Sequence, residues 1–367
     1  MKTTNILKYA VGIDVAKKDF KCCISSIDEQ QQVKVKSTAH FLNSIEGYKA
    51  LVLWVAKHCQ TGTAVVYCME ATGIYHESLA LFLYRQNMHV SVVLPTLSKN
   101  YLKSLGHKTK NDKIDAKGLS TMAAEKSLSA WQPFSESIYE LRQMTRYIED
   151  LNQQRTATGN QLHALQHSMY AMEELQNILK EHLAFIEKQI KELKVHVEQM
   201  VKQDEKLWPK IEHMMTIRGV GLYTIVVIVA ETNGFALFEN IGQLCSYAGY
   251  DVIEEQSGTY QGKGRISKKG NSHIRRALHM PSLSLLRYQV PLFYALYQRV
   301  LDRTHIKMKA IVAIQRKLLT ILYTLWNKEE DFNPSMHVTK KEVATTEVAT
   351  QDELSAETRS PLLVYQS

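Results

Sequence analysis

Four carboxylates stand at positions where a fold could gather them. Asp14 ends the apolar run Val-Gly-Ile-Asp, and Glu70 ends the apolar run Val-Val-Tyr-Cys-Met-Glu. Asp112 and Asp115 follow in Lys-Asn-Asp-Lys-Ile-Asp, where a separation of three residues places both on one helical face. Carboxylate oxygens suit Mg²⁺, and two such ions can hold the attacking and leaving oxygens of a phosphodiester. The four acids therefore predict a magnesium site for phosphodiester chemistry.

Each acid also has an ordinary explanation. Asp14 could cap a turn, Glu70 could pair with a lysine, and Asp112 could serve a helix N-terminus. The lysine-rich surroundings of the acid pair favour a phosphate backbone passing nearby, although a solvated basic helix face stays open. These lysines are Lys99, Lys103, Lys108, Lys110, Lys113 and Lys117, of which Lys108 and Lys110 are our predicted nucleic-acid contacts.

Two glycine-punctuated segments could handle phosphates. Gly219-Val-Gly221 precedes an apolar helix, so its N–H groups could face a phosphate, as in half of a helix-hairpin-helix. A tight turn without a ligand explains it equally well. Residues 261–280 hold six lysines and arginines and no acid, which is typical of a phosphate-handling surface, with a solvated loop as the alternative. These basic residues are Lys263, Arg265, Lys268, Lys269, Arg275 and Arg276.

Ser257 stands at the entry to this basic loop, beside Gly258. Its hydroxyl could act as a nucleophile, but an unactivated serine is weak and no His–Asp pair accompanies it. From spacing alone a turn serine is the favoured interpretation, and Ser267 and Ser272 are equally plausible candidates.

The acids need a layered α/β scaffold, because strand ends deliver side chains to a shared crevice. Apolar runs predict buried strands, and a helical period after Asn43 predicts a helix with Asn43 as its N-cap. The predicted strands are Tyr9–Val15, Lys21–Ile27, Gln32–Ser37, Ala64–Met69 and His89–Leu94, and the predicted helices are 43–58, 75–85 and one that begins near Asp112.

The character of the chain changes after Pro133. Up to Pro209 there is no further proline and only one glycine. Apolar residues at three- and four-residue steps predict a coiled-coil seam that folds back on itself or pairs between protomers, with an ordinary core-facing helix as the alternative. The seam residues are Leu162, Leu165, Met169, Met172, Leu175, Leu179, Leu183, Ile186, Ile190, Leu193, Val197 and Met200. We therefore expect domains at 1–134, 135–208 and 209–330, and a disordered polar tail at 331–367.

Composition narrows the partners. The net charge is +8 and the isoelectric point is near 9.0, which favours an anionic partner, with nucleic acid ahead of a membrane. The five cysteines are odd in number and scattered, so neither a disulfide framework nor a zinc site is expected, and a reducing cytoplasm fits best. No signal peptide or membrane-length apolar run is apparent.

Four blocks occur together and in order: Gly-Ile-Asp-Val-Ala-Lys, Met-Glu-Ala-Thr-Gly, Lys-Asn-Asp-Lys-Ile-Asp-Ala, and the stretch from Ser257 to Arg-Arg-Ala-Leu. In this combination the chain resembles the DEDD transposases of bacterial insertion sequences related to the Piv invertase and the MooV transposase. That family is now known as RNA-guided bridge recombinases. The resemblance runs from about residue 8 to residue 325.

The resemblance implies an α/β RuvC-like domain of the ribonuclease H fold, a helical coiled-coil insertion and a mainly α transposase domain with a helix-hairpin-helix-like turn. Asp14, Glu70, Asp112 and Asp115 would hold Mg²⁺, and Ser257 would form a transient covalent link to DNA. Implied partners are donor and target DNA, a non-coding bridge RNA and further copies of the chain, as a dimer or tetramer in which domains of different protomers share one active site. The alternatives are a RuvC-like nuclease or junction resolvase that uses water as the nucleophile, and a non-enzymatic nucleic-acid scaffold.

Overall fold

The structure is a computed structural model that describes residues 5–71, 73–104, 112–170, 172–253, 256–257, 260–261 and 264–334. Side chains are described for these residues except 112–114, 256–257 and 260–261. The predicted tail therefore lies outside the described residues from position 335 onward. The chain forms two compact units, Met1–Pro133 and Phe134–Ser367. In the described part, no helix is both long enough and apolar enough to cross a membrane.

The first unit is a five-stranded mixed sheet with helices on both faces. The strand order is β3-β2-β1-β4-β5, with antiparallel pairing from β1 to β3 and parallel pairing from β1 to β5. This order and these directions fit the expected RuvC-like domain. The elements are β1 (Ile6–Val15), β2 (Asp19–Asp28), β3 (Val33–Leu42), α1 (Ile45–His58), β4 (Ala64–Glu70), α2 (Glu77–Arg85), β5 (His89–Val93), α3 (Pro95–Ser104) and α4 (Asp112–Glu125).

The two faces of β1 explain its continuous apolar sequence. Tyr9, Val11 and Ile13 are buried on the face covered by α1 and α2. Ala10 is buried on the opposite face, in a core shared with α4. A strand that is covered on both faces has no solvent side, so its apolar residues do not alternate with polar ones.

One helix cap differs from its prediction. Ser44, not Asn43, is the N-cap of α1, and its side chain accepts a hydrogen bond from Gly47 N. The Asn43 amide instead donates to Ala16 O and Tyr75 O. The prediction was wrong by one residue because Asn43 uses its side chain for contacts distant in the sequence.

The second unit is mainly helical. Its apolar centre is α8, which is buried along most of its length and contacts α5, α6, α7 and α10. The elements are α5 (Glu136–Gln166), α6 (Glu173–Gln203), α7 (Trp208–Met215), α8 (Leu222–Glu231), α9 (Ile241–Tyr247), β6 (Val252–Ile253), β7 (Gln256–Ser257), β8 (Tyr260–Gln261), β9 (Arg265–Ile266), α10 (Ser272–Ala277), α11 (His279–Arg287), α12 (Pro291–Thr304) and α13 (Lys307–Lys328).

The predicted seam falls on a helical hairpin, because α5 and α6 are joined by a short connection and contact each other. Ile186, Ile190 and Val197 of the seam are buried. At the other end Met169 and Met172 are 87% and 52% exposed. The stripe is therefore covered at the end of α6 that leads towards the core of its unit, and coiled-coil packing as such stays a prediction.

Candidate active site

Helix α4 lies directly on β1, at a place where the strand has no side chain. A Cβ atom at Gly12 would be 2.2 Å from both Ala116 O and Ser120 N. The backbone of the helix therefore crosses the strand two residues before Asp14. Because side chains alternate along a strand, Asp14 projects from the same face as Gly12, on the side that α4 covers.

Glu70 is placed beside Asp14 by the parallel pairing of β1 and β4. Ile13 pairs with Met69, so the next residues, Asp14 and Glu70, are neighbours at the carboxyl ends of adjacent strands. Cys68, two residues before Glu70, is buried in the core shared with α4. Glu70 therefore also projects from the face that α4 covers.

The other two acids belong to α4. Asp115 is half-buried and precedes Ala116, whose carbonyl oxygen lies over Gly12. Asp112 begins the helix, but its side chain lies outside the described residues. Among the side chains that are described, no three from His, Cys, Asp and Glu are close enough together to hold a metal ion. The structure thus places Asp14 and Glu70 on the face of the sheet that α4 covers, and Asp115 on α4 itself.

A buried serine contacts one of these acids. Ser98, in the first turn of α3, donates a 2.5 Å hydrogen bond to Glu70 Oε2, and its Oγ is also 3.0 Å from Pro95 O. A hydroxyl has one proton, so it serves one of these acceptors at a time. Ser98 therefore restricts the orientation of the Glu70 carboxylate from the side of β5.

The antiparallel pairing of β2 puts a lysine on the other side of Asp14. Lys21 pairs with Asp14 and, across its other edge, with His40 of β3. Directly paired residues project from the same face, so Glu70, Asp14, Lys21 and His40 form a row across the sheet. A cavity of about 320 Å³ borders this row and is lined by Lys21, Cys22, Thr38, Ala39, His40 and Ala116.

Ser257 lies in one of two short two-stranded ladders within residues 251–267, which we call the serine arm; the structure describes residues 251–253, 256–257, 260–261 and 264–267 of it. At the base of the arm β6 pairs with β9, and further out β7 pairs with β8, where Ser257 is opposite Tyr260. The side chain of Ser257 lies outside the described residues. Ser267 donates its N–H to Asp251 O at 2.7 Å, at the base of the arm, and Ser272 is the first residue of α10. Of the three candidate serines, Ser257 alone belongs to the outer part of the arm.

Two glycines allow two backbone segments to come into contact at the base of the serine arm. A Cβ atom at Gly270 would be 2.4 Å from Tyr247 O, and Gly249 has a φ of +75°, in the left-handed region that favours glycine. Lys268 N donates to Gly249 O at 3.1 Å, and Asn271 N donates to Tyr247 O at 2.7 Å. The segment that follows α9 and the segment that precedes α10 are therefore held together by their backbones.

The predicted phosphate contacts have different surroundings. Arg275 Nη1 donates to Ala248 O at 2.7 Å, so this guanidinium is engaged by the protein's own backbone. Arg276 pairs with Glu149 while 51% of its side chain stays exposed. Contact with nucleic acid stays a prediction for all of them: Arg265, Lys268 and Lys269 are exposed, whereas Lys108, Lys110 and Lys263 lie outside the described residues.

The glycine turn joins α7 to α8, and its role as half of a helix-hairpin-helix stays a prediction. Gly219 has a φ of +94°, and Gly221 is the N-cap of α8 with open space around its Cα. Arg218 lies over the ring of Tyr288, 4.8 Å from its centroid. A phosphate at this turn stays a prediction.

Three side chains in these regions were not identified from the sequence: Lys21, Ser98 and Glu231. The sequence could have indicated Lys21, because a hairpin that turns at residues 16–18 pairs position 14 with position 21. Glu231 had a weaker signal, since it is the one charged residue in the apolar helix Leu222–Glu231. Ser98 had none, because its contact depends on the order of the strands.

Two family models match the chain. A model for the DEDD domain of IS110 elements, described as Transposase, matches residues 11–171. A second, described as Transposase IS116/IS110/IS902 family, matches residues 211–298. The first span contains the four acids, and the second contains the glycine turn and the serine arm.

Relatives match over most of their length. The pilin gene-inverting protein of Moraxella bovis is 28% identical over 331 residues, which cover 90% of this chain and 99% of that protein. The transposase for insertion sequence element IS1111A of Coxiella burnetii is 24% identical over 362 residues, with coverages of 90% and 92%.

Among solved structures, T. thermophilus RuvC in complex with a Holliday junction substrate covers 34% of this chain and 99% of its own, at 9% identity and a TM-score of 0.26. Fowlpox virus resolvase, bound to Holliday junction DNA, covers 32% and 98%, at 15% identity and a TM-score of 0.24. At these TM-scores the likeness adds nothing to the strand order described above.

Proposed function

The chain belongs to the IS110 family of transposases, and we propose that it is a site-specific recombinase that cuts and rejoins DNA with Asp14, Glu70, Asp112, Asp115 and Ser257. The observation that carries this proposal is the close approach of α4 to Gly12, because it puts the helix that bears two of the acids over the strand that bears the first. DNA is the substrate that a transposase requires.

The four acids are proposed to hold Mg²⁺. Asp14 and Glu70 project from the face of the sheet that α4 covers, Asp112 and Asp115 belong to α4, and carboxylate oxygens are the hard ligands that this ion prefers. Bound Mg²⁺ would stabilise the charge that develops on the phosphodiester oxygens during cleavage. The hydrogen bond from Ser98 would keep one Glu70 oxygen occupied and thereby orient the other.

Ser257 is proposed as the nucleophile. Its Oγ would form a bond to a backbone phosphorus while the bond from that phosphorus to one deoxyribose oxygen breaks. The serine proton is released, and the leaving oxygen takes up a proton, so no external energy source is needed. The reverse attack by a deoxyribose hydroxyl on the serine–phosphate bond would rejoin the strand and free the serine.

Guidance by a non-coding bridge RNA and assembly as a dimer or tetramer are also part of the proposal. The basic, glycine-punctuated segment after Ser257 suits a backbone of either nucleic acid and carries no motif for reading bases. Sequencing the RNA that copurifies with the protein tests guidance. A discrete RNA encoded beside the gene is the expected result, and random cellular RNA would contradict it. Light scattering of the purified complex tests assembly, and a monomer that recombines DNA would contradict it.

Trapping a protein–DNA adduct tests the nucleophile. We expect a denaturant-stable adduct from the wild type with its RNA, labelled DNA and Mg²⁺, and none from Ser257→Ala. Ser267→Ala and Ser272→Ala are matched controls that should keep it. Cleavage without any adduct in the wild type would instead indicate the water-dependent nuclease. Unchanged biological activity of Asp14→Ala would indicate the non-enzymatic scaffold.

A further inference from the structure

One carboxylate in the second unit is completely buried and has no part in the chemistry proposed above. Glu231 is the last residue of α8, and its side chain is 0% exposed. A charge in such a place is expensive unless ion pairs and hydrogen bonds compensate for it. The partners of Glu231 therefore show which segments of the fold this buried charge joins.

Two of these partners come from α5. Arg146 is bidentate, with Nε 2.6 Å from Glu231 Oε1 and Nη2 2.9 Å from Oε2. Arg142 Nε lies 3.5 Å from Oε2. Burial by itself would raise the pKa of Glu231, but the hydrogen bonds from Arg146 and Asn271 and the charges of both arginines outweigh it and lower this pKa. Glu231 is therefore an anion held between α8 and one turn of α5.

The third partner comes from the base of the serine arm. Asn271 Nδ2 donates to Glu231 Oε2 at 2.7 Å. The other end of the same amide caps α10, because Asn271 Oδ1 accepts from His273 N at 2.9 Å and from Ile274 N at 3.3 Å. The backbone N–H of Asn271 donates to Tyr247 O at 2.7 Å. Asn271 thus joins three features at one point: the Glu231 carboxylate, the start of α10 and the end of α9.

We propose that Glu231 is a positioning residue of the recombinase: through Asn271 it fixes the base of the serine arm to α5 and α8, and so sets where Ser257 is presented. The assignment rests on the proposed role of Ser257 as the nucleophile. Ser257 follows Asp251 by six residues, a separation of about 20 Å for an extended chain at about 3.3 Å per residue. A rotation of about 5° at the base would then move Ser257 by about 2 Å, and a shift of about 1 Å is enough to cost about 100-fold in rate.

Hydrogen exchange on the full-length protein tests whether Glu231 holds the arm. In Glu231→Gln we expect the amides of Ser267, Lys268 and Asn271 to exchange at least about tenfold faster than in the wild type, because their acceptors lie at the base of the arm. Amides of α13 should change much less. Glu239→Gln replaces an exposed glutamate next to α9 and is the matched control. Unchanged exchange at the base, or equal acceleration in α13, would overturn the proposal.

An isosteric swap separates positioning from general stability. Asn271→Asp keeps the acceptor that caps α10 but turns an oxygen instead of an N–H towards the Glu231 carboxylate. It should disturb the arm as Glu231→Gln does. The double variant, Glu231→Gln with Asn271→Asp, restores one donor and one acceptor and keeps the total charge of the pair. We expect exchange at the base to return at least halfway to the wild-type rate, and two additive defects would contradict the contact.

The same variants connect the arm to catalysis. Glu231→Gln should form the serine–DNA adduct at least about tenfold more slowly while its Kd for DNA stays within about twofold, and the double variant should recover part of the adduct rate. Equal adduct rates in Glu231→Gln and wild type would refute the positioning role. If the wild type forms no adduct, the nucleophile proposal fails, whereas the exchange and swap measurements still decide whether Glu231 holds the arm.

Discussion

The substitution Gly12→Ala tests the face on which the acids lie. Its Cβ atom would be 2.2 Å from Ala116 O and from Ser120 N, both of which are backbone atoms of α4. Ordinary carbon contacts begin at about 3.5 Å, so the helix would have to move away from β1 by about 1.3 Å. Backbone atoms cannot rotate out of the way, and the displacement would reach the buried Leu119, Met122 and Ala123 of the same helix.

The cost should lie at the upper end of the range for overpacked cores, about 3 kcal/mol. A shift of α4 also carries Asp115 away from Asp14, so Mg²⁺-dependent cleavage should fall by more than about 100-fold at a temperature where the variant is still folded. Urea unfolding gives the first quantity, hydrogen exchange of the α4 amides localises it, and cleavage of labelled DNA gives the rate.

Gly159→Ala is the matched control. Gly159 lies inside α5 with nothing within 4 Å of a Cβ atom built on it. Removing a glycine from an open helical position should stabilise the protein by about 0.5–1 kcal/mol and leave cleavage unchanged. If Gly12→Ala behaved like Gly159→Ala, then α4 would not lie on β1 and would not bring Asp115 to the face from which Asp14 and Glu70 project.

Three further predictions concern single residues. Folding lowers the pKa of Glu231, so the charged carboxylate stabilises the fold above its unfolded pKa, about 4.3, and this stabilisation is lost as pH falls through the folded value. The difference in unfolding free energy between wild type and Glu231→Gln should therefore shrink from pH 7 to below pH 4. A difference that stays constant with pH in urea titrations would contradict this prediction. Gly270→Ala places a Cβ 2.4 Å from Tyr247 O and should slow adduct formation at least about tenfold. Gly264→Ala, whose Cβ would have its nearest contact at 3.8 Å, should not slow it. Equal rates in the two variants would count against the backbone contacts at the base of the serine arm. Lys21→Met removes a positive charge beside the acids and should tighten Mg²⁺ binding by about 1 kcal/mol in calorimetry. Lys18→Met, in the exposed turn, is the control and should leave Mg²⁺ binding unchanged. Weaker Mg²⁺ binding by Lys21→Met would show that Lys21 does not compete with the ion.

The strands that carry acids could be predicted because their burial is continuous along the chain. The runs that end at Asp14 and Glu70 have no solvent face, so an apolar sequence marks each strand to within three residues. The strand after Gln32 was predicted to end at Ser37, but β3 continues to Leu42. Exposed residues alternate with half-buried ones in its second half, at the edge of the sheet, and pairing with β2 rather than local apolarity keeps it extended.

The contacts that hold the proposed sites could not be predicted, because they join residues far apart in the sequence. Gly12 is an unremarkable glycine in a strand until α4, more than 100 residues later, is placed against it. Glu231 depends on Arg146, 85 residues earlier, and Asn271, 40 residues later. Propensity and periodicity report only on neighbours within a few turns, so they contain no information about such pairs.

The two halves of the proposed chemistry should therefore respond differently to distant substitutions. Asp14 and Glu70 are fixed by hydrogen-bonded neighbours along strands at the centre of the sheet, so a change that displaces them must also break the sheet and will lower stability together with activity. Ser257 is held by an arm whose described ladders are two residue pairs each, and the base of that arm depends on a few side-chain contacts. Breaking one of those contacts leaves the helical core of the unit intact. Variants with normal folding, normal DNA affinity and slow adduct formation should consequently cluster around the base of the serine arm and be rare around the acids.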